Sequence, residues 1–355
     1  MSAPPNTTLG AGGGRAYRRC DEVSAFCPVQ LTTLGYYPNR GANYFFAIGF
    51  GLCIIVALVL GTWKKTWSYM AFLTAGCALE LAGYGARVAL ADNPWNKHAF
   101  ETQICAIVLG PTLICISIYL TLKHVTLALG PSLSRVPPRV YPLIFVPADV
   151  SCLLVQAVGG ALAASASAGD GVPNLDLVNA GNRAIIAGIC LQVVVLAAFG
   201  IMSADFYLRV RRRVASGQAD AEAAALWRDG KFRAFAGAVA VAYAAVFARC
   251  VYRIAEMAGG WGNHIMQDEA SFIVLDSVMM LVASALLAAF APGLLFPQMA
   301  EAMNARRDEE AKAKEGAAAA AAAAAADSEV NTGNESQDTE KSAPPTSQGE
   351  AKVTP

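Results

Sequence analysis

The chain has 355 residues, 55% of them hydrophobic and 15% charged, with 27 basic residues balanced by 27 acidic ones. Soluble domains carry about 25% charged residues, so most of this chain is not built for water. The charges crowd into short stretches between long apolar blocks, and the absence of a basic face excludes a nucleic-acid partner.

Residues 1–42 read as a polar N-terminal tail. It holds the sequon Asn6-Thr7-Thr8, a glycosylation site if the tail lies outside the cell. Cys20 and Cys27 flank Asp21 and Glu22, and they either form a disulfide in an oxidising compartment or stay as two thiols. The other cysteines sit singly in apolar blocks, where they pack as small hydrophobes. No apolar signal sequence precedes the first long block, so that block is expected to act as an uncleaved signal anchor.

Seven blocks are long and apolar enough to cross about 30 Å of hydrocarbon, which takes about 20 helical residues each. They fall near 43–62, 68–90, 101–123, 141–164, 183–207, 233–256 and 270–296. The runs are continuous and lack the period-two alternation of a membrane strand. The expected fold is therefore all-α, an integral membrane bundle of seven helices over residues 43–297. Lys64 and Lys65, then Arg135 and Arg139, then Arg209, Arg211, Arg212, Arg213, Arg228 and Lys231 fall in alternate loops, which places those loops in the cytosol. The N-terminus then lies outside and the C-terminus inside. The 209–231 loop is a topology anchor, a contact for anionic lipid or a docking place for a cytosolic partner. Residues 298–355 read as a low-complexity, mostly disordered cytosolic tail, with an alanine run at 317–326.

An ionisable side chain inside a membrane helix costs about 2.5–3.5 kcal/mol on insertion scales, so each needs a partner or a water-filled cavity. Helix two carries Glu80 and Arg87 on one face, helix four carries Asp149 and Gln156, and helix five carries Gln192. Arg249, Arg253 and Glu256 share helix six, and Glu269 and Asp276 open helix seven. At about 1.5 Å of rise per residue, Arg87 and Arg253 fall roughly 5 Å inside the outer boundary, Arg249 and Asp276 roughly 10 Å, and Glu80 near the midplane. Matching depths predict a network of Glu80, Arg87, Arg249, Arg253, Glu256 and Asp276, which either locks the helices or lines a cleft for a polar headgroup. Asp149 and Gln156 lack a cationic partner in their own helix and are candidates for contact with water, ligand or a neighbouring helix. Pro111 and Pro147 are expected to kink their helices and free a nearby carbonyl.

These letters resemble the fungal RTA-like proteins, named for aminocholesterol resistance and also described as lipid-translocating exporters. The resemblance runs over about residues 35–297. It is carried by Gly35-Tyr36-Tyr37-Pro38 with Asn43, Glu80-Leu81-Ala82-Gly83-Tyr84-Gly85-Ala86-Arg87, and Gln103 with Gly110-Pro111 and Tyr119. Asp149-Val150, Gln156-Ala157-Val158-Gly159-Gly160, Gly188 with Gln192, Arg249 to Glu256, and Glu269, Asp276 and Pro292-Gly293 continue it. Asn39 stands where the family often has serine, and Phe272 where tyrosine is usual. The resemblance implies a plasma-membrane or endomembrane protein that exports or flips sphingoid long-chain bases or related amphiphiles and confers resistance to toxic ones. A seven-helix receptor or sensor for lipid or membrane stress is the alternative.

No phosphate-binding G-x-x-x-x-G-K-[ST] stretch occurs, so transport would be downhill, ion-coupled or dependent on a partner. His98, His124 and His264 lie far apart in the sequence near different helix ends, and no enzyme, metal or cofactor is expected. Membrane lipids are the expected partners.

Overall fold

A computed structural model describes residues 20–25, 27–129, 140–168, 175–218, 221–260 and 262–292, with positions 134, 137, 138, 312 and 316. Asn6, Arg135, Arg139 and nearly all of the C-terminal tail lie outside the described residues. Residues 301–355 form a unit separate from residues 1–300.

The described chain is helical, and the one β feature among the described residues is a bridge between Ser24 and Cys27. The long helices are α1 (Arg40–Trp63), α2 (Trp67–Asp92), α3 (Lys97–Leu129), α4 (Val140–Ala168) and α5 (Leu175–Ala215). A short α6 (Ala221–Arg228) precedes α7 (Gly230–Ala258), and α8 (Glu269–Ala289) contains a π-helical turn over Ile273–Val278. Asn39 caps α1 by accepting the Ala42 amide at 3.1 Å, and Asp229 caps α7 by accepting that of Lys231 at 3.0 Å.

Among the described residues, six helices are long and apolar enough to cross a membrane: α1, α3, α4, α5, α7 and α8. The 26-residue α2 falls short on hydropathy because Glu80, Arg87, glycines and tyrosines dilute its apolar content. Boundaries also moved. Helix α5 runs 41 residues rather than the 25 of the 183–207 block, because its charged ends continue the helix beyond its apolar part. Helix α8 ends at Ala289, short of the expected 296, with Pro292 just beyond.

The solvent logic of a soluble protein is inverted. Ile48, Leu52, Ile55 and Val59 form a stripe on α1 and each is more than half exposed, while Glu80, Arg87, Asp149, Arg249 and Asp276 are buried. A surface this apolar is built to face lipid.

Glycines set how closely the helices approach. Gly76 and Gly83 let α2 lie directly on α3, where an added Cβ would meet Ile114 and Ile107 at 2.7 Å. Glu80 lies between them and is pressed against α3 at Gly110, where an added Cβ would stand 2.8 Å from Glu80 Oε1. Helices α4 and α5 meet backbone to backbone: an added Cβ on Gly181 would lie 2.6 Å from the Gly159 carbonyl oxygen. Gly181→Leu therefore should force these helices apart and cost about 2 kcal/mol or more. Thermal unfolding of the purified variant in detergent should show a clear drop, and an unchanged midpoint would mean that the two helices are not in this contact.

Candidate functional site

Pairing of the buried charges follows from where each helix starts and bends. Arg87 points from α2 toward the start of α1, and its guanidinium is only 1% exposed. Its Nε donates to Asn43 Oδ1 at 3.0 Å, its Nη2 to the Tyr36 hydroxyl at 3.0 Å and its Nη1 to Gln103 Oε1 at 3.4 Å. The Glu269 carboxylate stands 3.6 Å away and the Phe272 ring lies 4.3 Å beneath the guanidinium carbon. Glu269 also accepts the Asn39 amide at 2.7 Å, which ties the start of α8 to the start of α1. Burial raises the Tyr36 phenol more than the adjacent Arg87 lowers it, so Tyr36 stays a neutral acceptor.

Arg249 of α7 donates from Nε to Asp276 Oδ1 at 2.7 Å and from Nη2 to the Ile107 carbonyl oxygen. That carbonyl is available because Pro111, four residues on, has no N–H to offer it. Asp276 sits within the π turn of α8, an irregularity often found at functional positions. Arg253 and Glu256 form a buried pair within α7, and the Glu256 carbonyl accepts from Asn263.

The expected single network is thus three separate ion pairs. Arg87 takes Glu269 rather than Glu80, because its side chain extends away from the middle of α2 toward the helix starts. Glu80 is fully buried, and neither of its carboxyl oxygens has a hydrogen-bond partner. Asp149 accepts the Tyr119 hydroxyl at 2.7 Å through Oδ2, while Oδ1 has no partner. Gln156 reaches a neighbouring helix, one of the three contacts expected of it. It donates to Gln192 at 3.2 Å, and Gln192 donates to Thr112 at 3.2 Å, so these amides tie α4, α5 and α3 together.

Helix α3 orders these groups along the bundle: Gln103, the Ile107 carbonyl, Gly110 against Glu80, Thr112, then Tyr119 against Asp149. From Gln103 to Tyr119 the rise is about 24 Å, most of a hydrocarbon layer. A cavity of about 10 Å³, room for one water, lies at the first end among Tyr36, Arg87, Gln103, Arg253 and Glu256. At the other end a chamber of about 1280 Å³ opens between α3, α5, α6 and α7, lined by Ile118, Leu122, Phe199, Tyr207, Phe232 and Tyr243, with Arg211, Arg228 and Arg233 among its walls. Phe199 packs tilted against Tyr119 with centroids 4.5 Å apart, so two aromatic rings separate the chamber from Asp149.

The chamber is lined by unremarkable residues, and nothing in their spacing marks it. Tyr36, Asn43, Gln103 and Tyr119, which hold the charged groups, carry no formal charge. The available signal was a polar side chain buried in an apolar helix, as at Asn43, which is 3% exposed. Cys20 and Cys27 are joined as a disulfide, with Cα atoms 5.9 Å apart.

An apolar exterior around a charged, helix-buried interior defines a multi-pass membrane protein. The chain belongs to the RTA1-like family: the family's sequence pattern, described as "RTA1 like protein", matches residues 73–299. The chain is 29% identical over 321 residues to the sphingoid long-chain base transporter RSB1 of Saccharomyces cerevisiae, covering 83% of this chain and 81% of that one. Protoporphyrin uptake protein 1 of the same organism is 27% identical over 64% of this chain and 69% of its own. Protein RTA1, also of that yeast, is 24% identical over 62% and 64% respectively. No solved structure matches the chain.

Proposed function

We propose that this protein moves amphiphiles with a cationic amino headgroup, sphingoid long-chain bases in the first place, across the bilayer. The observation that carries the reading is that the buried carboxylates outnumber the buried arginines. Arg87, Arg249 and Arg253 each have an acid, and Glu80 and Asp149 are left without a cation. An ammonium group is the complement of such a carboxylate. The resemblance to a sphingoid base transporter points the same way.

The tail of the substrate occupies the apolar chamber, and its head passes Tyr119 to reach Asp149, then Glu80, then the small cavity at Glu256. Each station is closed in this conformation, so passage requires α3 and α7 to part. The apolar length of six helices and the packing of the 26-residue α2 along α1 and α3 support seven spans. The Cys20–Cys27 disulfide supports an outside N-terminus, and the arginines at the end of α5 support a cytosolic chamber mouth. This is an exporter of the plasma membrane, with residues 1–42 outside and the tail from 298 inside. Resistance to toxic amphiphiles follows from their removal.

In liposomes carrying the purified protein, a fluorescent sphingoid base should cross the bilayer, and Asp149→Asn should slow it about tenfold or more, the loss of one charge-assisted contact. Equal rates in the variant would remove Asp149 from the path.

A further inference from the structure

Two buried carboxylates of the interior lack a cation, and of these Glu80 lacks a hydrogen bond as well. Glu80 is fully buried with both oxygens unpartnered, and it is packed at the middle of α2 against Gly110 of α3. Asp276 Oδ2 is likewise without a donor. The charged groups facing Glu80 are Arg249 and Arg253 of α7 and Asp276 of α8, with Cys77 and Tyr84 as the titratable neighbours on its own helix. Both of those arginines are already bonded to other carboxylates, Arg249 to Asp276 and Arg253 to Glu256. A carboxylate ionised there would be a surplus negative charge in oil, with neither a counter-ion nor a hydrogen bond. Among the described residues no three of His, Cys, Asp and Glu come together to hold a metal ion.

The geometry points to Glu80 as an exchangeable-proton site that couples substrate movement to proton movement in the opposite direction. At rest Glu80 is a neutral carboxylic acid. When the ammonium head reaches it, the O–H bond breaks, the proton leaves to the aqueous phase and the carboxylate pairs with the ammonium. When the head moves on, a proton from the other side restores the acid. One positive charge replaces one positive charge, so the interior is never left with an uncompensated carboxylate and no electrons change hands. Asp149 is placed differently, since it keeps a hydrogen bond from Tyr119 and lies two rings from the open chamber. The coupling rests on the proposed function, but the proton on Glu80 does not, and the two are tested separately.

The protonation is read by infrared spectroscopy on the full chain in lipid nanodiscs with no substrate. A protonated-carboxyl carbonyl band that shifts in deuterated buffer should be present at neutral pH. It should disappear in Glu80→Gln, persist in Asp149→Asn and return, displaced, in Glu80→Asp, which also serves as the check that the site still folds. No such band in the wild type, or the same band in Glu80→Gln, overturns the proposal, and so does a band abolished by replacing choline with sodium, which would make the occupant a metal cation. The coupling is read in liposomes as the effect of an imposed pH gradient on the distribution of the labelled base, corrected for protein-free vesicles. Wild type should respond severalfold, and Glu80→Gln should lose the response. A response retained in Glu80→Gln overturns the coupling. A wild type that shows the band but moves no base overturns the proposed function and leaves the proton on Glu80 standing.

Discussion

Asp276→Asn should destabilise the protein by about 3–5 kcal/mol, the usual cost of removing one partner of a buried ion pair. The substitution keeps the shape of the side chain and its acceptor toward Arg249 Nε, so the loss is that of charge rather than of packing. Arg249, 4% exposed, would then be a buried cation bonded only to neutral acceptors, the Ile107 carbonyl and the new amide, with no carboxylate hydrogen-bonded to it. Removing both charges, as in Arg249→Met with Asp276→Leu, should recover most of the loss, because a pair that is replaced leaves nothing uncompensated. Unfolding of the purified variants in detergent measures both. If Asp276→Asn stays within about 1 kcal/mol of the wild type, the pair does not hold α7 to α8.

A loss of similar size, about 3–5 kcal/mol, is expected for Arg87→Met. Asn43 and Gln103, each 3% exposed, would lose their donor in a place that water does not readily reach, whereas Glu269, partly exposed, can be hydrated. The guanidinium bonds in three directions while its carbon sits over the Phe272 ring, which an ammonium cannot reproduce, so Arg87→Lys should restore only part of the stability. Because this arginine joins the starts of α1 and α8, protease sensitivity in Arg87→Met should rise first at the Tyr36 end of the bundle. Full recovery by lysine would show that charge alone matters there.

Much of this was open to reading from the letters, for physical reasons that also mark the boundary. Apolar length located seven blocks, and six of them form helices long and apolar enough to cross a bilayer, since a continuous apolar run satisfies its own backbone in lipid as a helix. It misjudged the ends of α5, where Arg209 to Arg213 are good helix formers that hydropathy counts as loop. Depth arithmetic placed Arg249 and Asp276 level with each other, and they pair. It could not tell that Arg87 turns away from Glu80, because a shared helix face does not fix which way a long side chain extends. Pro111 announced a free carbonyl, and Arg249 occupies it. The π turn around Asp276 and the chamber between α5 and α7 have no local signature, since both arise from how helices settle against one another.

On the proposed function, a carboxylate-lined path selects a cationic head. Its most direct test compares, in the same proteoliposomes, the crossing of a fluorescent sphingoid base with that of its N-acylated, uncharged counterpart. The protein should speed the base alone and leave the acylated lipid at the rate of protein-free vesicles. Equal acceleration of both, or of neither, would contradict it.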